Sequence, residues 1–391
     1  MERIRMLVVW AGTLARQQHI FTLVNFLAQS GFTVEIAHFG QDSSPQRPAS
    51  LHSGIKLQSF TLIPGKSAGS FLSRLRSVWR LAGVLRVARY DILYVINSWT
   101  LPIFWPARVL VPRRCATVYH TFDWLEPGLH SRFHLLLEKY TCRHAALAVN
   151  TDRTRARLQQ TLYRLPRCPL FLPNYLSKAA ALPSDIARPR REMLQGLGPA
   201  NPVVLVYPTI ANQERLTLEL LQAFKLLPRD YALVTIAMDD AYGREVRRMA
   251  ASGELEGRVK VYSPMSHDQV VNLIAASDIG AIFHDVTSSS GNFMGNPSRL
   301  ALLVACGIPF VAVATPNVEA LVYKYALGLC CDPANPRELA DSIQRLVNDP
   351  PGLSARKQHL RQVFVEELHF EKHAGRLVAE LRVIVANRAA G

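Results

Sequence analysis

The chain has 391 residues, 49% of them hydrophobic, and its 45 lysines and arginines against 30 aspartates and glutamates give a formal charge of +15. The length favours two domains with a core each, and the hydrophobic fraction excludes a disordered or low-complexity chain. The charge indicates polyanionic neighbours, which can be nucleic acid, an anionic membrane surface or phosphorylated substrates.

Short apolar runs alternate with amphipathic, helix-length segments along the whole sequence. In the first half the predicted strands are IRMLVVWA, TVEIAHF, DILYVIN, ATVYHTF, ALAVN and LFLPN. In the second half they are PVVLVYPT, YALVTIAM, VKVYS, IGAIFH, PFVAVA and GLCC. Because the runs are continuously apolar, helices are expected on both sheet faces, as in parallel βα units. The predicted fold class is α/β, with two doubly wound, Rossmann-like parallel-sheet domains facing a cleft.

One segment rich in proline, alanine and charge interrupts this alternation and predicts the domain boundary. It covers 176–201 and separates an N-terminal domain, 1–175, from a C-terminal domain, 202–365. The last segment, 366–391, is predicted to be a helix that can cross back to the N-terminal domain, with a break in the helical stretch near residue 370.

No apolar run is long enough to span a bilayer, which requires about 20 residues. The longest, ALLVACGIPFVAVA, is broken by glycine and proline, and the short apolar run at the N-terminus is assigned to the first strand. The six cysteines include no CxxC pair, so we expect no zinc site and no disulfide framework. These features predict a cytoplasmic protein.

Polar residues directly after strands are candidate site residues, because ligands of such sheets bind at the carboxyl ends of the strands. Gly12 and Arg16 follow the first strand, although the pattern is not GxGxxG and an ordinary βα turn is the alternative. His120 lies at the end of a later strand, and Asp123 lies in the loop after it. The imidazole can donate to a hydroxyl or phosphate oxygen, and the carboxylate can orient it or accept a proton. The alternative is a histidine satisfied by a backbone carbonyl.

A second group of candidates lies around the start of an apolar helix. Asn296 is expected to cap that helix and Pro297 to occupy its first position. The helix is apolar almost throughout, so the free N–H groups around Ser298 are predicted to bind an anion. Arg299 opposes the helix dipole by about 0.3–1 kcal/mol, which suggests an anionic partner. Arg215 lies elsewhere, after the first strand of the second half, where a loop becomes a helix. It could bind a diphosphate with forked hydrogen bonds, or be a solvated charge at that helix end.

In these segments the sequence resembles a GT-B glycosyltransferase of the glycosyltransferase family 4 (group 1) kind, over nearly the whole chain. The likeness lies in PNYL, YPTIANQERLTLELLQAFKLLP, RVKVYSPMSHDQVVNLIAASDIG and NPSRLALLVACGIPFVA, in this order. It implies a C-terminal domain that binds a nucleotide-diphosphate sugar and an N-terminal domain that binds the acceptor. It also implies transfer with retention of configuration, without a bound metal or other cofactor.

The resemblance sorts the candidates into three groups. The implied donor-binding residues are Arg215, Asn292, Asn296, Pro297, Ser298, Arg299 and Glu319. The implied catalytic residues are His120, near the donor sugar, and Asp123. The implied acceptor-binding residues are Gly12 and Arg16.

The chain departs from the family at a few positions. Met294 and Leu302 replace two glutamates that the family often carries, and leucine cannot accept hydrogen bonds from ribose hydroxyls. Thr209 and Ile210 stand where the family has its first basic residue, and Glu319 could approach the ribose region instead. Two functions stay open. One is a hexosyltransferase that uses a glycan or lipid-linked acceptor, and the other is a non-catalytic nucleotide-sugar-binding or scaffold protein of the same fold.

The segment 70–90 contains five arginines and no acid. A helical wheel predicts an apolar face made of Phe71, Leu72, Leu75, Val78, Trp79, Ala82 and Leu85. The opposite face holds Ser73 and Ser77 with Arg76 and Arg80. Either the apolar face covers the sheet and the basic face is solvated, or the arginines contact an anionic membrane, each contributing about 1 kcal/mol. The membrane alternative predicts a peripheral protein at the inner face of the membrane. No nucleic-acid partner is expected, because RNP-like strands and zinc spacings are absent.

Overall fold

A computed structural model of the chain describes residues 3–12, 18–40, 51–63, 68–112, 115–123, 125, 130–180, 182–183, 185–287, 295, 297–349 and 351–389. The chain divides into two compact units, Met1–Asn174 with Phe370–Gly391, and Tyr175–His369. Each unit is built on one parallel sheet with helices, so the predicted fold class is confirmed.

Strands and helices alternate along the described chain. The strands are β1 (Arg5–Ala11), β2 (Thr33–Gly40), β3 (Lys56–Thr61), β4 (Ile92–Ile96), β5 (Ala116–Thr121), β6 (Leu147–Asn150), β7 (Leu170–Phe171), β8 (Val203–Ile210), β9 (Tyr231–Ile236), β10 (Val259–Tyr262), β11 (Ile279–Ile282), β12 (Phe310–Val313) and β13 (Gly328–Cys331). The helices are α1 (Gln18–Gln29), α2 (Ala68–Val87), α3 (Leu101–Leu110), α4 (Arg132–His144), α5 (Arg153–Tyr163), α6 (Ala187–Leu194), α7 (Thr217–Lys225), α8 (Ala241–Ala250), α9 (His267–Ala275), α10 (Ser298–Cys306), α11 (Pro316–Tyr325), α12 (Pro336–Asn348), α13 (Leu353–Glu366) and α14 (Phe370–Ala389).

The sheet of the first unit has the strand order β3-β2-β1-β4-β5-β6-β7. The order reverses between β1 and β4, and such switch points are where ligands of doubly wound sheets bind. The central strands are apolar on both faces, so every residue of β4 is buried. The carboxyl ends of β1, β4 and β5 therefore form the edge at which a site of this unit is expected.

The sheet of the second unit has the order β10-β9-β8-β11-β12-β13, with its switch point between β8 and β11. Helix α10 packs closely against β11, because a Cβ at Gly280 would approach the Leu303 Cδ2 atom to 2.6 Å. Seven of the nine α10 residues are buried, which confirms that this helix belongs to the core. The start of α10 is thereby fixed relative to the ends of β8 and β11.

The segment 176–201, predicted to be a linker, lies in the second unit and contains α6. The Arg190 guanidinium of α6 donates to the Asp278 carboxylate at 3.0 Å and to the Ala276 carbonyl at 2.8 Å. Lys357 Nζ of α13 reaches the other Asp278 oxygen at 3.0 Å. This half-buried ion-pair network attaches the segment to the second sheet.

Strand β3 is missing from the predicted strands, and the predicted orientation of α2 is partly wrong. Val78, Ala82 and Leu85 are buried as expected, but Phe71, Leu72, Leu75 and Trp79 are exposed. Ser73 and Ser77 are buried instead, because the Ser73 hydroxyl accepts a hydrogen bond from the Ile63 amide at 2.9 Å, just beyond β3. Small serines let the helix approach this edge strand, and the bulky side chains face outward.

The C-terminal helices break where the sequence predicts, since α13 ends at Glu366 and α14 begins at Phe370. Helix α14 packs on α1 of the first unit, where the Phe370 and Phe26 rings lie 5.6 Å apart. Arg382 of α14 donates to the Ser30 carbonyl at 2.9 Å. None of the helices in the described part of the chain combines the length and apolarity needed to cross a bilayer.

Candidate functional site

His120 lies near the end of β5 and is buried. Its Nδ1 atom is 2.9 Å from the Tyr94 hydroxyl of β4, and among the described residues its buried Nε2 has no hydrogen-bond partner. Burial, and then the charge of His19, lower the pKa of His120 well below its ordinary value. The imidazole is therefore neutral at pH 7, and Nε2 is its one nitrogen without a partner in the described part of the chain.

A second histidine, His19 of α1, belongs to the same cluster. Its ring and that of His120 both contact the Phe122 ring edge-on, at centroid distances of 4.7 and 4.3 Å. Burial lowers the pKa of His19 to about 4, although the charge of Asp123 opposes this shift. His19 is neutral at pH 7 as well, so the cluster presents two uncharged imidazoles beside one carboxylate.

Asp123 is held by Asn97, the first residue after β4. The Asn97 side-chain amide donates to Asp123 Oδ2 at 2.7 Å, and its oxygen accepts from the main-chain amides of Phe122 and Asp123 at 3.3 and 3.2 Å. Asn97 has φ 65° and ψ 152°, a conformation that favours glycine. Arg155 of α5 interacts with the same carboxylate through its charge. The backbone strain at Asn97 thus coincides with the positioning of a predicted catalytic residue.

Replacing Asn97 with alanine is expected to lower the free energy of unfolding by about 2–4 kcal/mol, because the loop loses its hydrogen bonds while the strained backbone remains. Asn97→Gly loses the same bonds but relaxes the backbone, so it should be about 1 kcal/mol less destabilising. Urea unfolding of both variants measures the difference. Equal values for glycine and alanine would show that the backbone at this position is not strained.

Gly12 directly follows β1 with φ 154°, and a Cβ there would approach the Trp10 ring to 2.6 Å. Its carbonyl accepts a hydrogen bond from His38 Nε2 at 2.7 Å. Local packing is thus sufficient reason for a glycine at this position. This observation agrees with an ordinary βα turn and requires no ligand. Arg16, its predicted acceptor-binding companion, lies outside the described residues.

Two arginines meet at the switch point of the second sheet. Arg299, in the first turn of α10, donates to the Thr209 hydroxyl near the end of β8. Arg215 lies in the short 3-10 turn Gln213–Arg215 after β8. Burial, and then the charge of Arg215, lower the pKa of Arg299 to about 10. Among the described residues no carboxylate pairs with either guanidinium. The pair is a positive site without a counter-ion in that part of the chain.

Tyr207 fixes the turn that carries Arg215. Its buried hydroxyl bonds to the carbonyls of Arg215 and Phe283, the latter at 3.0 Å. The Asp285 amide donates to the Glu214 carbonyl at 2.7 Å and ties the same turn to the end of β11. Burial raises the pKa of Tyr207 despite the two nearby arginine charges, so the phenol stays protonated and its one hydrogen is shared between the two carbonyls.

The start of α10 differs by one residue from the prediction. Pro297 occupies the cap position instead of the first helical position, and the helix begins at Ser298. The Pro297 carbonyl accepts the first helical hydrogen bond, from the Leu300 amide at 3.0 Å, as a cap residue does. Asn296 and Asn292 lie outside the described residues. Leu302 is buried, and the helix contains no acidic residue.

Glu319 is exposed in the first turn of α11, after β12. Its charge acts on Cys330 of β13. The pKa of Cys330 is raised to about 11, first by burial and then by the charge of Glu319. Glu319 therefore lies near β13, and its contact with the donor stays a prediction. Within the described residues no three His, Cys, Asp or Glu side chains group as metal ligands.

Four positioning residues were missed by the sequence argument, namely Tyr94, Asn97, Tyr207 and Thr209. Asn97 is the last residue of the predicted strand DILYVIN and could have been found by the same criterion as His120, which also lies at a strand end. The other three lie inside predicted strands, where a polar group is ordinarily assigned to packing. Only the tertiary structure shows that their hydroxyls reach site residues.

Two family models match the chain. One, described as "Glycosyl transferase 4-like domain", matches residues 16–174, and the other, described as "Glycosyl transferases group 1", matches residues 195–363. No curated protein sequence gives a significant match.

Solved structures match nearly the full length. HepE from Anabaena in complex with UDP and glucose is 18% identical, with a TM-score of 0.74 over 97% of this chain and 100% of that one. Sucrose-phosphate synthase from Thermosynechococcus elongatus is 16% identical, with a TM-score of 0.77 over 98% and 100%. A glycosyltransferase from Rickettsia africae is 14% identical, with a TM-score of 0.72 over 99% and 100%. At these identities the likeness establishes a shared fold.

Proposed function

We propose that this chain, which belongs to the group 1 glycosyltransferases and has the GT-B fold, moves a hexose from a nucleotide-diphosphate donor to a glycan or lipid-linked acceptor. The Arg215–Arg299 pair is the observation that carries the proposal. Two partly buried cations with no carboxylate partner among the described residues suit an anion with more than one charge. A diphosphate satisfies both, and HepE with UDP is an example within the same fold.

In the proposed mechanism Arg215, Arg299 and the free N–H groups at Ser298 stabilise the charge that develops on the departing diphosphate. These cations supply the countercharge, so we propose transfer without a bound metal or other cofactor, and with retention of configuration. Asn292, Asn296 and Pro297 remain proposed donor contacts from the sequence.

The first unit is proposed to supply the acceptor side. When the Tyr94 hydroxyl donates to Nδ1 of His120, Nε2 carries the proton and can donate to a sugar hydroxyl. Asp123, held by Asn97, orients the reacting groups in this proposal. Gly12 and Arg16 are the proposed acceptor contacts.

A panel of UDP, GDP, ADP, CDP and dTDP tests the donor site. One diphosphate is expected to raise the melting temperature by about 5 °C at 100 times its dissociation constant, because a ligand of the native state stabilises it by about 2.7 kcal/mol there. The matching monophosphate is the control and should give a smaller shift, since it offers less charge to the arginine pair. If none of the five diphosphates shifts the melting temperature, the donor proposal is rejected.

The second candidate, a non-catalytic nucleotide-sugar-binding or scaffold protein, is favoured by Leu302. This buried side chain cannot accept the ribose hydrogen bonds that a glutamate provides in the family, and Glu319 lies beside β13. An assay for hydrolysis distinguishes the two functions. Its substrate is the nucleotide sugar whose nucleotide raises the melting temperature of the protein. Turnover supports the transferase, and stabilisation without turnover in a panel of acceptors supports the binding protein.

The lipid-linked acceptor implies a location at the membrane. We propose peripheral association at the inner face of the membrane, with Arg76 and Arg80 near anionic headgroups. The exposed positions of both arginines on α2 support this proposal.

A further inference from the structure

The first unit exposes large apolar side chains on three neighbouring helices. Phe71, Trp79 and Phe133 are 63%, 59% and 61% exposed, and Leu75, Trp99 and Leu136 are exposed as well. A chain that gains about 25 cal/mol for each Å² of apolar surface it buries ordinarily does not display so many large side chains together. We call the surface formed by these six residues the aromatic face.

The aromatic face is continuous across α2, the 3-10 turn Ser98–Thr100, and α4. The Trp99 ring lies 5.0 Å from the His134 ring of α4, and the charge of Arg74 on α2 acts on the same histidine. Helix α3 joins the two sides, because its Trp105 Nε1 donates to the Thr141 hydroxyl of α4 at 2.8 Å. The exposed side chains therefore belong to one surface.

Among the described residues of this surface the charge has a single sign. Helices α2 and α3 contain no acidic residue, and the one acid of α4, Glu138, is fully buried. Arg76, Arg80 and Arg132 are exposed among the apolar side chains. Aromatic and leucine side chains mixed with arginines, without a carboxylate, complement a layer that is apolar inside and anionic at its surface.

The aromatic face also borders the acceptor side of the first unit. Trp99 follows Asn97 by two positions, and Asn97 holds the Asp123 carboxylate at the carboxyl edge of the sheet. A layer in contact with Trp99 would present its headgroups close to this edge.

We infer that the aromatic face docks on an anionic lipid bilayer, with Phe71, Trp79 and Phe133 inserted below the headgroups. The inference deepens the proposed function and rests on it in one respect, since it assigns the acceptor to the lipid-linked, anionic class. Insertion of the apolar side chains, rather than contact through Arg76 and Arg80 alone, is what distinguishes this docking from simple charge attraction.

Co-sedimentation with vesicles tests the inference on the full chain. Wild type is expected to bind vesicles of phosphatidylcholine with one quarter phosphatidylglycerol and to bind pure phosphatidylcholine weakly. Changing Arg76, Arg80 and Arg132 together to glutamine should weaken binding about 100-fold, since each basic residue near the surface contributes about fivefold. Changing the exposed Arg229, Arg337 and Arg388 to glutamine removes the same charge elsewhere and should leave binding nearly unchanged.

A second pair of variants tests insertion. Phe71→Ala with Trp79→Ala is expected to weaken binding at least about tenfold, also in high salt, where headgroup attraction is screened. Leu226→Ala with Tyr323→Ala, exposed side chains of the second unit, is the matched control. All four side chains are exposed, so unchanged melting temperatures are expected and verify folding.

Two outcomes would overturn the inference. One is wild type that ignores anionic vesicles or binds them equally after the Phe71 and Trp79 changes. The other is a wild-type dimer that the same changes convert to a monomer without any vesicle binding, which would assign the face to a second copy of the chain. Because the assay contains no nucleotide, its failure leaves the arginine-pair test unaffected.

Discussion

Replacing Arg299 with glutamine is expected to raise the free energy of unfolding of the ligand-free protein. Burial and the charge of Arg215 lower the pKa of Arg299 from 12.5 to about 10, so the folded state holds this proton less tightly than the unfolded chain does. The penalty is complete below pH 10 and is lost only as the pH rises towards 12.5. Removing the cation should therefore stabilise the protein by about 1–3 kcal/mol at pH 7, as measured by urea unfolding.

The same substitution is expected to weaken binding of the nucleoside diphosphate that raises the melting temperature. The expected loss of affinity is about 10–100-fold, since a charged hydrogen bond contributes about 1.5–3 kcal/mol. Calorimetric titration measures this loss. Arg229→Gln removes an exposed arginine of the same unit and should change neither quantity. Thr209→Val keeps the charge and removes only the hydroxyl partner, so an intermediate loss is expected. Wild-type affinity in Arg299→Gln would exclude this residue from the donor site.

The carboxyl of Glu138 alone is expected to contribute about 3 kcal/mol less to the free energy of unfolding at pH 7 than at about pH 4.5. Glu138 is fully buried between two phenols, accepting from Tyr119 at 2.9 Å and from Tyr163 at 2.6 Å. Among the described residues it has no cationic partner. Burial raises its pKa from 4.5 to about 7, although both phenol bonds oppose the shift. An acid with a raised pKa stabilises most below its unfolded pKa, and this contribution disappears as the pH passes its folded value.

Glu138→Gln should remove this component, because the amide remains neutral while still accepting one phenol hydrogen bond. The difference between variant and wild type, measured by urea unfolding at several pH values, isolates Glu138 from the opposite effect of His19. Burial lowers the pKa of His19 to about 4, so its contribution is lost as the pH falls. Glu256→Gln, at an exposed glutamate of the second unit, is the control. Parallel pH profiles for Glu138→Gln and wild type would mean that Glu138 is not the titrating group.

The fold was predictable because both sheets are made of strands that are apolar on both faces. Strand β3 escaped the prediction for a physical reason, since it is an edge strand that is only half-buried and contains few apolar residues. The face of α2 was partly wrong because a helical wheel assumes that the most apolar stripe faces the sheet. Here the hydrogen bond between Ser73 and the Ile63 amide reverses that assumption over the first half of the helix.

The site was predictable where a residue lies at the end of a strand or at the start of a buried helix. The first criterion found His120, Asp123 and Arg215, the second found Arg299, and the structure brings them together as two clusters, one in each unit. The residues that hold them in place could not be found in this way, because Tyr94 and Thr209 act across strand or helix contacts. A sequence does not state which side chain a strand neighbour will meet until the register is known.

The helix α14 has a consequence for how the molecule is assembled. The first unit takes its last helix from the far end of the chain, where Phe370 packs on Phe26 and Leu377 and Leu381 are buried. During synthesis the sheet of the first unit therefore emerges before the second unit and before α14. The apolar surface of α1 that α14 covers stays exposed until α14 has been made. Loss of α14 would therefore weaken the first unit, while the second unit could fold without that helix.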